Sequence, residues 1–337
     1  YACAMITSLG RWPLRGSDEP RYAQVAREML ETGNYVLPHI NGNPYPDKPP
    51  LYFWLAALAG RFFGDVTPHA ARLPSALAGL SLAALTFFLG RALFDPATGI
   101  LAAGVLCTTE QFFSTATSAR LDTLFSFWIT LALFLLYQGF AGNGKNRWWV
   151  MLAWVSMACA VLTKGPTGIL LPLLTMLLYL VLTNSKEKIP RLFTGTGIAL
   201  CTGLCCLWLV PACLQAGPGY THNILFRQNL GRVVEAFAHE APAYFYLLSF
   251  PLDFLPWTLF LPAAAVCFLK FRRAEPAFLF LYAWCAVLFL FFSCISGKRS
   301  IYLLPMYPAA AILMGRFWRD VMLDETLRQQ VSRWKLF

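Results

Sequence analysis

Runs of about 20 residues almost free of charge recur along this chain, and they restrict its fold more than any other feature. A helix of that length matches the hydrocarbon core of a bilayer, where every backbone N–H and C=O must find its partner inside the helix. The composition agrees: 58% of the 337 residues are hydrophobic and only 13% are charged, against about 25% charged in soluble domains. The chain therefore reads as an all-α polytopic membrane protein. A stub at 1–10, starting at Tyr1, reads as the trimmed end of a spanning helix. Further runs lie at roughly 68–90, 98–116, 121–140, 148–163, 165–183, 192–213, 255–269, 276–295 and 301–317. Together they predict about 10–11 transmembrane helices in one domain over 1–337. Three of these runs fall short of a straight span, which predicts broken or partly interfacial helices.

The net charge is +10, but the basic residues form short clusters between apolar runs rather than a stripe. That pattern is a topology signal and argues against a nucleic-acid partner. The ten cysteines sit mostly inside apolar runs and show no spacing of a disulfide framework or zinc cluster.

Placing the connections on alternating sides separates them by character. One side receives Arg91, then Lys145 and Arg147, then Lys186, Lys188 and Arg191, then Lys270, Arg272 and Arg273, then Arg316 and Arg319. Short, basic, acid-poor loops mark the cytoplasmic side. The other side holds 11–67, with mixed charges and many prolines, and the long segment 214–254. It also collects isolated charges at helix ends: Arg120, Asp122, Lys164, Lys298 and Arg299. One site on the non-cytoplasmic face follows from this topology.

Within 11–67, "SDEPRYAQVAREMLETG" (17–33) reads as an amphipathic helix. Ser17 is the expected N-cap, Pro20 fits the first turn and Gly33 the stop. Tyr22, Val25, Ala26, Met29 and Leu30 line one apolar face, and Asp18 and Arg21 share a face three residues apart. This helix is too short to span and is expected in the interface plane.

Each outward charge also has a structural use. Asp18 and Glu19 suit a helix N-terminus electrostatically. Arg120 and Lys164 can snorkel, His239 alone reads as a surface histidine, and Asp47 with Lys48 could be a solvated pair. Against that last reading, prolines at 44, 46, 49 and 50 stiffen the loop around the pair. Collected on one face, these cations, carboxylates and aromatics suit a phosphate-bearing lipid carrying a sugar. The chain has no nucleotide-binding glycine loop and no serine elbow.

The motifs "DEPRYAQVAREMLETGNYVLP", "DKPPLYFW", "SARLDTLFSFW", "LTKGPTG", "HEAPAYFY" and "SGKRSIYLLPMYP" occur in that order over most of 11–315. In this they resemble the lipid A aminoarabinose transferases and the wider polyprenyl-phosphate-sugar glycosyltransferases of GT-C fold, relatives of the protein mannosyltransferases. The resemblance implies a GT-C membrane fold and a bacterial inner-membrane location. It also implies inverting sugar transfer, at the periplasmic face, from a polyprenyl (undecaprenyl) phosphate to a lipid-linked or protein acceptor. By the same resemblance Asp18, with Glu19 beside it, is the catalytic carboxylate. Arg21, Lys48, Arg232, Lys298 and Tyr302 fall to the donor phosphate, and Asp122 and Lys164 to the cavity wall. Asp47 stands where the family usually has Glu; with His239 it would hold a divalent metal (Zn, Mg or Mn), although Asp is one methylene shorter. A periplasmic C-terminal region often present in the family is expected to be missing from this chain, which ends at Phe337. The rival from another class is a lipid-linked sugar flippase or transporter, which would place its polar groups at mid-membrane helix breaks. An assembly subunit is a third reading, and it leaves the proline-locked pair without a use.

Overall fold

The computed structural model describes residues 2–141, 147–231, 241–271 and 275–323. Helix α1 (Ala2–Ser8) leads to α2 (Asp18–Thr32), α3 (Leu51–Phe63) and α4 (Pro68–Leu93). Then come α5 (Pro96–Cys107), α6 (Glu110–Ala116), α7 (Leu121–Ala141), α8 (Arg147–Lys164) and α9 (Thr167–Leu182). The later long helices are Gly195–Ala216, Pro276–Cys294 and Tyr307–Leu323.

Fewer helices are long continuous spans than the apolar runs predict. Among the described residues four helices are long and apolar enough to cross a membrane, and a pair bent by 111°, Phe245–Asp253 with Trp257–Phe268, makes a fifth. The expected span at 98–116 breaks at Thr108 and Thr109. There Thr109 Oγ1 donates to Val105 O at 2.8 Å, and Trp257 Nε1 donates to Thr108 Oγ1 at 2.9 Å. The run at 301–317 opens as a tight 3₁₀ segment, Ser300–Met306, containing Pro305. Hydroxyls and prolines interrupt the helical ladder while the flanking residues stay apolar, so hydropathy overcounts unbroken spans.

Close backbone approach joins the helices. A methyl added at Gly315 would lie 2.6 Å from Ala102 N, and one at Gly90 would lie 2.9 Å from Gly99 Cα. Small residues at such crossings are the usual device of membrane helix packing.

Helix α2 forms where the apolar periodicity predicts and stops at Gly33, which adopts φ 70°. Tyr22, Val25, Ala26 and Met29 are buried. Ser17 is not the expected cap: its backbone is already helical (φ −88°, ψ −26°) and its side chain makes no capping bond, because a cap needs extended geometry to turn its oxygen back onto the first turn. Arg21 is exposed whereas Asp18, three residues before it, is buried. Further along, a two-residue hairpin pairs His39–Ile40 with Asn43–Pro44 through Asn41 and Gly42, at φ 51° and 75°. Glu28 on α2 accepts both turn N–H groups, from Asn41 at 2.6 Å and Gly42 at 3.1 Å. The proline-rich stretch that starts α3 is thereby anchored to α2.

Candidate active site

The first turn of α2, the start of α7, the end of α8 and the segment around Arg299 and Tyr302 are joined by side-chain contacts at one end of the bundle. Asp18 is 6% exposed. Its Oδ2 accepts from Arg299 Nη2 at 2.9 Å and lies 3.5 Å from Arg120 Nη1. Both contacts fall on one oxygen, and Oδ1 has no hydrogen-bond donor among the described residues. Burial works against the Arg299 charge, yet the hydrogen bond and charge of Asp18 outweigh it and hold the guanidinium more firmly protonated than usual.

Glu19 is placed differently. It is 4% exposed, and Arg72 grips it with two N–H···O bonds of 2.9 and 2.8 Å. Ala119 N and Arg15 N donate to the same carboxylate at 2.6 and 2.7 Å. Arg72 spends its remaining donors on the carbonyls of Leu9, Trp12 and Pro13, at 2.6 to 2.8 Å. Burial pushes the Glu19 carboxyl up, but these donors prevail and hold it below its ordinary range. With all its acceptor sites engaged, Glu19 clamps the entry to α2 rather than facing a substrate. Nothing in the local sequence flags Arg72, which sits on the second turn of α4.

Beside Asp18 lies a second pair. Lys164 Nζ at the end of α8 donates to Asp122 Oδ1 at the start of α7, at 2.6 Å. The same ammonium stands 4.4 Å over the Tyr302 ring and 5.3 Å over Phe125. Lys48 is near enough to act on Asp122 electrostatically. Tyr22 is buried among Asp122, Asp18 and Arg299; burial first, then the two acids, keep its phenol protonated.

Asp47 accepts a 2.7 Å hydrogen bond from Gln228 Nε2, which ties the first outer loop to the second. Arg232 and His239 lie outside the described residues. Among the described residues no three His, Cys, Asp or Glu side chains come together to hold a metal. Lys298 does not face the cluster. It is 5% exposed and donates to the carbonyls of Ala241 at 3.0 Å and Ile295 at 2.5 Å. Neighbouring Arg299 has extended backbone (φ −139°, ψ 139°), and successive residues of an extended chain point opposite ways. One cation of "GKR" therefore braces the core and the next reaches Asp18. A polar cavity of about 310 Å³ adjoins Arg120 and Arg299, walled by Gln111, Ser114, Ser118 and Ser300.

This arrangement has known relatives. The family model for dolichyl-phosphate-mannose-protein mannosyltransferases matches residues 14–226. The chain belongs to that family. It is 31% identical over 310 residues to an undecaprenyl phosphate-alpha-4-amino-4-deoxy-L-arabinose arabinosyl transferase of Proteus mirabilis, covering 90% of this chain and 55% of that protein. The crystal structure of ArnT from Cupriavidus metallidurans bound to undecaprenyl phosphate superposes with a TM-score of 0.85 at 26% identity, covering 94% of this chain and 58% of that one. The oligosaccharyltransferase AglB of Archaeoglobus fulgidus shares the fold alone, with a TM-score of 0.59 at 15% identity over 98% of this chain and 51% of its own. This mannosyltransferase-family chain thus has the GT-C membrane fold that its motifs imply, and it is a multi-pass membrane protein. It spans a little over half the length of the relatives it matches.

Proposed function

We propose that this chain is the membrane part of an inverting glycosyltransferase that moves a sugar from a polyprenyl phosphate to a lipid-linked acceptor. The observation that carries this reading is Asp18, a buried carboxylate with one oxygen fixed by Arg299 and Arg120 and the other met by no donor among the described residues. Inverting transfer is one in-line displacement at the anomeric carbon. The acceptor oxygen forms the new bond as the carbon–oxygen bond to phosphate breaks, and the electron pair leaves on the phosphate. Asp18 Oδ1 takes the proton of a hydroxyl acceptor, while the two guanidiniums hold the carboxylate in orientation. The charge developing on the leaving phosphate falls to Lys48 and Lys164, with Tyr302 shielding Lys164 from water. Glu19 acts as a positioning residue through Arg72. The polar cavity beside Arg120 is the side from which the acceptor approaches.

The relative solved as ArnT carried undecaprenyl phosphate, which supports that carrier here. The end of the bundle bearing Arg91, Arg147, Lys188, Arg191, Arg316 and Arg319 is opposite the Asp18 site, and the positive-inside rule makes it cytoplasmic. The site then faces the periplasm of a bacterial inner membrane. Mass spectrometry of envelope lipids and glycans, with and without this protein, tests the acceptor. A sugar-modified lipid lost on deletion is the expected result; a loss confined to protein-linked sugar would move the acceptor to protein.

A further inference from the structure

At the far end of α7 and α8 lies a second cavity, of about 520 Å³, unrelated to the Asp18 site. Asp122 and Phe140 mark opposite ends of α7, about 27 Å apart at 1.5 Å per residue. Arg147, Lys188 and Arg191 line this cavity, and among the described residues no carboxylate does. None of the three cations has an ion-pair partner among the described residues, unlike Arg316 and Arg319 at the same end, which share Asp95 at 3.2 Å.

Two helix beginnings add to this positive charge. Helix α8 starts at Arg147, and the 22-residue helix Gly195–Ala216 starts at Gly195, another residue of the cavity wall. Neither first turn carries an acid. Thr194 sits in the N-cap position of the longer helix with extended backbone, but its side chain makes no capping bond and its Oγ1 has no partner among the described residues. Free N–H groups of a first turn attract an anion, and the helix dipole strengthens the attraction. Phe140, Val150 and Phe193 add apolar surface to the cavity wall, and Trp148, next to Arg147, stands 69% exposed, as aromatics do at a membrane interface.

We infer that this cavity seats the phosphate of an anionic phospholipid, its headgroup held by Arg147, Lys188, Arg191 and the first turn after Thr194, and its chain lying on Phe140 and Phe193. Scattered basic residues suffice for topology. A half-open cavity that joins three cations with no ion-pair partner among the described residues, an uncapped helix start and an apolar wall has the composition of an amphiphile site. A free phosphate would share the polar half but has no use for the apolar one.

Native mass spectrometry of the full-length protein, released from vesicles of phosphatidylcholine or of phosphatidylcholine with phosphatidylglycerol, tests this. Wild type is expected to retain phosphatidylglycerol, and the triple variant Arg147→Ala, Lys188→Ala, Arg191→Ala to retain at least about tenfold less. Thr194→Asp separates lost binding from lost folding. Its carboxylate caps the helix and occupies the anion seat, so lipid retention falls while the melting temperature holds or rises. Equal retention in wild type and both variants would overturn the proposal. Binding of inorganic phosphate with no preference for phosphatidylglycerol over phosphatidylcholine would overturn the lipid assignment in favour of a soluble anion.

Discussion

Asp18 and Glu19 are adjacent acids with the same chemistry, and their surroundings give them opposite uses. Sequence motifs single out the pair together; only the fold shows that Arg72, from another helix, saturates one, while an oxygen of the other meets no donor among the described residues. Asp18→Asn keeps the shape and removes the base, so transfer to a hydroxyl acceptor should fall by about 10²–10⁴-fold with the helical circular dichroism unchanged. Glu19→Gln instead breaks a buried ion pair and should destabilise the protein by about 3–5 kcal/mol, read as a lower melting temperature in detergent. The Glu19 carboxyl lies below its ordinary value of 4.5 in the folded protein. Its contribution is therefore complete above that value and is lost as pH falls through the folded value. Wild-type melting temperature should drop on acidification in that window, and Glu19→Gln should lack this part of the drop. The alternation that sends Lys298 inward and Arg299 to Asp18 is equally local. No residue pattern distinguishes two consecutive cations, so the sequence reading favoured the wrong one for the cluster.

At the level of elements, apolar periodicity located α2 to within a residue or so, because its buried face repeats through Tyr22, Val25, Ala26 and Met29. Breaks within the apolar runs were harder to read. Whether Thr108 and Thr109 stay helical depends on a tryptophan nearly 150 residues away, and hydropathy does not register that. Packing offers a direct check. Gly315→Val would drive its side chain into the backbone of α5, since even a methyl there meets Ala102 N at 2.6 Å. A loss of about 1–3 kcal/mol, read as a lower melting temperature, is expected. Gly203→Ala, with nothing within 4 Å, should leave melting unchanged or slightly raised.

Across the whole molecule, the two ends of α7 and α8 differ in charge and in the sites they carry. One end carries Asp122, Lys164 and the candidate active site, and the other carries basic connections and the second cavity. This polarity was legible early, because charge placement between apolar runs needs no side-chain geometry. Which outer charges actually meet was not, since Asp18 and Arg299 are 281 residues apart in sequence. A cysteine introduced at Lys188 should resist membrane-impermeant thiol reagents added from the periplasm, and labelling there would reverse the orientation.

The central claim is donor cleavage at Asp18, and transfer in proteoliposomes tests it most directly. Full-length protein is supplied with an undecaprenyl phosphate whose sugar is radiolabelled. The account predicts that label passes to acceptor as undecaprenyl phosphate is released, and that Asp18→Asn and Lys48→Ala each cut this by about 10²-fold or more. Undiminished transfer by Asp18→Asn, or movement of the intact donor across the bilayer without cleavage, would contradict it.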